Sequence, residues 1–204
     1  YHKKNRKMEY KFESITEKFR KELYTNDFLV FDKYTKFKKL LNTREFSLNK
    51  ERFKSKNINI WETDGLIDKT RTKESGWRYY SLSEVIWLEL ILVLKRYKLD
   101  KSVLNRIKVK LTEDRNINQD CRLPLIDFYC YQSVILKNKI FFVCDFNGRF
   151  NFLDKAQKRE LENGNKYMSL LTVDFSLLLN ELLKKNKSYL VDSDTGKRIT
   201  NNNL

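Results

Sequence analysis

The sequence is poor in the residues that break or staple a chain. One proline and five glycines among 204 residues exclude a collagen-like or proline-rich linker protein. Three cysteines, Cys121, Cys130 and Cys144, are odd in number and lack the spacing of a disulfide framework, which points to a reducing compartment. The only histidine is His2, so His-dependent catalysis and multi-histidine metal sites are not expected. No apolar run is long enough to span a bilayer, since Val85 to Leu94 is short and interrupted by Glu89. The opening Tyr1-His2-Lys3-Lys4 is basic without a following apolar stretch, unlike a secretory signal.

Positive charge and aromatic residues are abundant. The net charge is +15, with 42 Lys/Arg against 27 Asp/Glu, and aromatics make up 14% of the chain. The excess is uneven: +6 over residues 1–41, +7 over 42–112 and only +2 over 113–204. A basic surface concentrated in this way attracts a polyanion, and duplex nucleic acid is the first candidate.

The pattern along the chain predicts five regions. Residues 1–41 read as a basic helical extension, with Phe12, Ile15, Phe19 and Leu23 at helical spacing and Phe28 to Phe31 as a short strand. Residues 42–112 read as a compact helical domain. In it, Asp64-Gly65 and Ser75-Gly76 mark turns, and Lys69 to Lys73 forms an exposed tip. Ser83 is placed to cap an all-round apolar helix ending near Tyr97. Asp100 then caps a helix with Leu99, Val103, Leu104, Ile107 and Leu111 on one face. Residues 113–122 read as a polar linker. Residues 123–186 read as a small module with strands at Leu125 to Leu136, Lys139 to Phe146 and Arg149 to Leu153. Lys137-Asn138 and Asn147-Gly148 are its turns, and helices follow at Ala156 to Asn163 and Val173 to Lys185. Residues 187–204 are a polar tail.

Two segments of the second region fit together. Trp61-Glu62, then Gly65-Leu66-Ile67, is followed after the basic tip by Gly76-Trp77-Arg78 and Tyr80. This order resembles the DNA-binding domain of MerR-family transcription regulators over roughly residues 46–112. There a recognition helix ends in aromatic-Glu-x-x-Gly-Leu-(Leu/Ile), and a basic wing leads to Gly-aromatic-Arg-x-Tyr. The resemblance implies a mostly helical winged helix-turn-helix domain; with the small antiparallel-sheet-plus-helix module read from the pattern after it, the chain is expected to be α+β. It implies DNA contacts by Asn57, Asn59, Lys69, Arg71, Lys73, Arg78 and Tyr80. Trp61 and Tyr80 read by themselves more readily as hydrophobic anchors than as DNA contacts, and Arg78 as a phosphate contact rather than a structural ion pair. The segment from Phe46 to Asn57 is shorter than the family's first half-motif and has no glycine. Asn59 stands where the family commonly has Arg.

The expected partners are therefore double-stranded DNA, a second copy of the chain and RNA polymerase, in the cytoplasm at the nucleoid of a bacterium or its phage. No catalytic residue, metal or cofactor is expected. The exposed part of the Val103–Leu111 face and the C-terminal sheet edge are the candidate dimer contacts. The C-terminal module is suited to effector binding, protein interaction or dimerisation. An architectural protein of the excisionase type is the alternative. A metal-dependent nuclease built on Asp127, Asp145 and Asp154 is a more remote one.

Overall fold

The computed structural model describes residues 38–39, 41–44, 46–69, 78–116, 122–134, 136–164 and 169–185. The expected helix and strand before residue 38, the tip at 70–77 and the tail from 186 lie outside the described residues. The elements named among the described residues are α1 (Ser55–Thr63), α2 (Leu82–Arg96), α3 (Lys101–Thr112), β1 (Asp114–Asn116), β2 (Arg122–Pro124), α4 (Leu125–Val134), β3 (Phe141–Cys144), β4 (Phe150–Leu153), α5 (Lys155–Gly164), β5 (Leu171–Asp174) and α6 (Phe175–Lys185). The chain is α+β.

The centre of the molecule is α2. Its sequence is apolar on nearly every side, and nine of its residues are buried. The helix starts two residues earlier than expected. Ser81, not Ser83, is the N-cap: its hydroxyl accepts from the Glu84 amide, and the Glu84 carboxylate accepts from the Ser81 amide. Ser83 is inside the helix and donates to Asp127 at 2.6 Å. At the other end Lys95 and Arg96 complement the helix dipole.

Asp100 caps α3 as the sequence predicts, accepting from the Val103 amide at 2.9 Å. That bond, with a second from Ser102, lowers the pKa of its carboxyl. Leu99, Val103, Leu104, Ile107 and Leu111 are all buried. The α3 face is thus used within the chain, while Val109 on the same helix is 48% exposed.

Two further corrections follow. The polar stretch after α3 is not only a linker, because β1 and β2 pair antiparallel with Arg115 opposite Leu123. Residues 125–134 are a helix rather than a strand. Every residue from Leu125 to Ser133 is buried, so the run shows neither a helical nor a strand period. Its aromatics and Val134 suggest a strand, but Pro124 stands where a helix begins, at a position that needs no amide. The segment Lys137-Asn138 accordingly follows a helix. Lys137 takes a positive φ of 59°, and the Asn138 amide bonds to the Gln132 carbonyl.

The three-stranded sheet has the order β4-β3-β5, all antiparallel. The Asn147-Gly148 turn joins β3 to β4 as expected, with Gly148 at φ 77°. The third strand is β5, at the start of what the sequence suggested was a single helix. Its Asp174 then caps α6 by accepting from the Leu177 amide at 2.9 Å. Both faces of β3 are covered. Phe142 and Cys144 join the main core beside α4 and α6, and Val143 packs with Leu153 and Leu161 under α5. An aromatic cluster ties the layers: Tyr129 stacks on Phe152 at 4.1 Å, and Phe152 meets Phe175 edge-on at 4.9 Å.

One main core runs from Leu41 and Phe46 through α2, α3 and α4 to Leu182. The regions on the two sides of residues 113–122 therefore share their apolar interior. No helix among the described residues is long and apolar enough to cross a membrane.

Candidate nucleic-acid interface

The short helix α1 lies at the edge of this core. Ile58 and Trp61 are buried, while Ser55, Lys56, Asn59, Ile60 and Thr63 are exposed. Asn57 and Glu62 are intermediate. One face of the helix anchors it and the other offers a row of polar side chains. Its N-terminus has no capping side chain: Lys54 holds the N-cap position with extended backbone and makes no side-chain cap bond. The first turn also lacks an acidic residue. Amide hydrogens at this end are therefore flanked by cations rather than satisfied by an anion.

Ahead of α1 the expected first helix of the motif is reduced to a single turn. The Asn49 side chain accepts from the Glu51 and Arg52 amides, and the Phe53 amide bonds to the Asn49 carbonyl at 2.8 Å. Phe53 is buried beneath the turn. Arg52 reaches across to the carboxylate of Glu89 on α2, with Nε 3.0 Å from Oε2. The absence of a glycine fits this geometry, since the turn needs no positive φ.

The exit from α1 is held from below. Gly65 has φ 73°, and the Leu66 amide reaches back to the Trp61 carbonyl at 2.9 Å. Leu66 and Ile67 are buried, and the indole of Trp87 donates to the Leu66 carbonyl at 2.6 Å. From α3, Lys101 pairs with Asp64, and Lys108 bonds to the Gly65 carbonyl and Asp68. Phe46 and Tyr80 form an antiparallel bridge with two backbone bonds of 2.9 Å, closing the segment from its far side.

The candidate residues fall into four groups. Asn57 and Asn59 lie on α1, and Lys69 is exposed just past Asp68. Arg71 and Lys73 lie outside the described residues. Tyr80 is only 2% exposed, so its ring is a hydrophobic anchor and cannot lie against a duplex; that expectation is corrected. Trp61 is an anchor as well.

Arg78 is brought against α1. Its Nε and Nη2 donate to the two carboxylate oxygens of Glu62 at 3.1 and 2.6 Å, and Nη2 also donates to Asn59 Oδ1 at 2.6 Å. Both charged side chains are about one-eighth exposed. The guanidinium is thus folded back onto the helix instead of reaching outward.

Sequence reading missed the basic run before and at the start of α1. Lys50, Arg52, Lys54 and Lys56 alternate with other residues, and all four are exposed. The signal was present as an every-second-residue pattern, but it has meaning only once the turn at 50–53 and the helix start at 55 are known.

The acidic residues of the nuclease alternative are occupied in separate places. Asp127 is on α4 rather than a strand, is buried, and accepts from Asn42 and Ser83. Asp145 accepts from the Asn147 and Arg149 amides and pairs with the Arg149 guanidinium. Asp154 caps α5 through Gln157. Among the described residues no group of three or more His, Cys, Asp or Glu is arranged to hold a metal ion. Burial pushes the Cys144 thiol up to about 12, with a smaller contribution from Asp145, and raises Cys130 well above its ordinary value.

Residues 50–100, a quarter of the chain, match the family model described as MerR HTH family regulatory protein. The match begins at the turn before α1, includes α1 and α2, and stops at the cap of α3. No curated protein and no solved structure matches the chain.

Proposed function

Starting from a MerR-family helix-turn-helix segment at residues 50–100, we propose that the protein is a DNA-binding transcription regulator acting on duplex DNA at the nucleoid. The observation that carries this reading is the coincidence of that segment with an uncapped, cation-flanked helix N-terminus at Lys54 to Lys56. A helix start of this kind favours a phosphate, and the exposed polar row from Ser55 to Asn59 then faces the base edges. Lys69, Arg71 and Lys73 supply further phosphate contacts beyond α1.

Residues 42–112 form the DNA-binding unit in this reading, and residues 123–186 a regulatory or dimerisation module. The protein acts as a homodimer on a pseudo-palindromic site, because a two-fold protein matches a two-fold duplex. With Leu99, Val103, Leu104, Ile107 and Leu111 buried, the edge strands β4 and β5 are the pairing surfaces in this reading, beside the exposed part of α3 at Val109. RNA polymerase is the partner through which such a regulator acts.

The test is a binding titration on genomic duplex fragments over a range of salt. Affinity should fall with salt at a logarithmic slope of roughly −0.9 per phosphate neutralised. A protein that binds no duplex at low salt is not a regulator of this type. Light scattering of the free and bound protein tests the dimer in the same preparation.

A further inference from the structure

Asn59 and Arg78 are 19 positions apart in sequence and meet at 2.6 Å on the outer side of α1. Arginine has donors and no acceptor, so the amide atom facing it is the oxygen whatever rotation is assigned to the side chain. The carboxamide is planar, and its amino group is therefore turned away from Arg78. Asn59 is exposed, and no other bond to its side chain competes for those two hydrogens among the described residues.

The charge of Arg78 is meanwhile matched by Glu62, which takes both Nε and Nη2. Three of the five guanidinium N–H hydrogens are turned to α1, and among the described residues only the two on Nη1, on a side chain about one-eighth exposed, remain for a phosphate. The guanidinium is built to hold Asn59 in one orientation.

We propose that Arg78 is a positioning residue that makes Asn59 a hydrogen-bond donor toward the DNA, and so a reader of guanine. This rests on the duplex-binding reading above. The chemistry follows from the groove edges. Guanine presents two acceptors, N7 and O6, in the major groove, and a carboxamide's amino group has two hydrogens to give. Adenine is read by an amide that accepts from N6 and donates to N7 together. An Asn59 whose oxygen is held by Arg78 has lost the freedom to turn that pair of atoms toward adenine. Glu62 has its own part in this arrangement: it fixes the guanidinium plane, and with it the amide.

The experiment is selection of bound sequences from a randomised duplex library, followed by affinity measurements on duplexes changed one base pair at a time. Wild-type protein is compared with Arg78→Lys, Asn59→Ala and the double variant. Lysine keeps the charge but cannot serve Glu62 and Asn59 with the same planar fork. Asn59 is exposed, so its alanine variant should fold, and melting curves verify all three.

The expected result is a guanine preference of roughly tenfold at one position of the site in the wild type. Asn59→Ala and Arg78→Lys should each remove it, at the same position, and the double variant should be no worse than either. The salt slope should not change. Three results overturn the proposal while leaving duplex binding intact. One is adenine preferred at the Asn59-dependent position. Another is an Arg78→Lys variant that keeps the full preference. The third is an equal loss on every sequence with a shallower salt slope, the mark of a phosphate contact. A wild-type protein that selects no duplex overturns both this proposal and the reading beneath it.

Discussion

Arg52, in the turn before α1, forms an ion pair with Glu89, the one charged residue in the apolar stretch from Val85 to Leu94 of helix α2. Glu89 is 4% exposed, whereas the Arg52 side chain is 43% exposed. The acid is the member that cannot stand alone. The pair fastens the shortened half of the motif to the core, in place of a packed first helix. Arg52→Ala should therefore destabilise the protein by about 1–3 kcal/mol, below the 3–5 typical of a fully buried pair because solvent reaches the arginine. Adding Glu89→Gln should recover part of that loss by removing the stranded charge. Denaturant melts of the two variants check this. If Arg52→Ala matches wild type, the pair does not hold the turn.

Two glycines with nearly the same backbone give an internal comparison. Gly65 has φ 73° and open space where a Cβ would stand. Gly148 has φ 77°, but a Cβ there would sit 2.8 Å from Val103 Cγ1 and 3.4 Å from the Val103 carbonyl. Alanine at Gly65 should cost only the left-handed conformation, about 1–2 kcal/mol. Alanine at Gly148 should add an overpacking cost of about 1–3 kcal/mol, because the turn is pressed against α3. The order of the two melting midpoints is the readout, and equal losses would mean that α3 yields to the turn.

These positions also show what was legible in the sequence. Gly65, Gly148 and Asp100 act locally, through φ or a cap, and each was readable from its neighbours. Trp61 as an anchor was equally plain, as was the apolar helix α2. The helix at Leu125 to Val134 was not, because burial on all sides erases the period that distinguishes helix from strand. Asp174 was the missed signal for β5, since a capping residue at the second position of the apparent helix marks where the helix really starts. At the candidate interface the types of residue were visible but not their pairing. Nothing local reveals that Arg78 turns back to Glu62 and Asn59, as the three are brought together only by the path of the chain after Gly65. The alternation of lysine and arginine before Ser55 was visible, yet it had no meaning without the helix start.

The buried thiols should be silent in the native protein. Cys130 is fully buried, and Cys144 is buried with its pKa raised to about 12. At pH 8 neither holds an appreciable thiolate fraction, and the thiolate is the reactive form. Maleimide labelling followed by peptide mass spectrometry should find both cysteines unmodified in buffer and both modified in denaturant. Rapid labelling of Cys144 under native conditions would show that the sheet opens far more readily than its two covered faces imply.

Lys54 offers the clearest separation of stability from function. It holds the N-cap of α1 with φ −61° and ψ 133°, backbone angles that suit a capping serine, yet its side chain caps nothing. A cation at this end also opposes the helix dipole. Selection for stability alone would place serine, threonine or aspartate here. Lys54→Ser should therefore stabilise the protein by about 0.5–1 kcal/mol, as the hydroxyl accepts from a first-turn amide and the unfavourable charge is removed. If Lys54 meets a phosphate, the same variant should bind duplex DNA more weakly on every sequence, with a salt slope shallower by roughly 0.9. Melting and salt-dependent binding on one preparation read both effects. A variant that gains stability and keeps its affinity and slope would leave the helix start as an uncapped end with no part in DNA binding. The reading of this surface would then depend on the polar row of α1 alone.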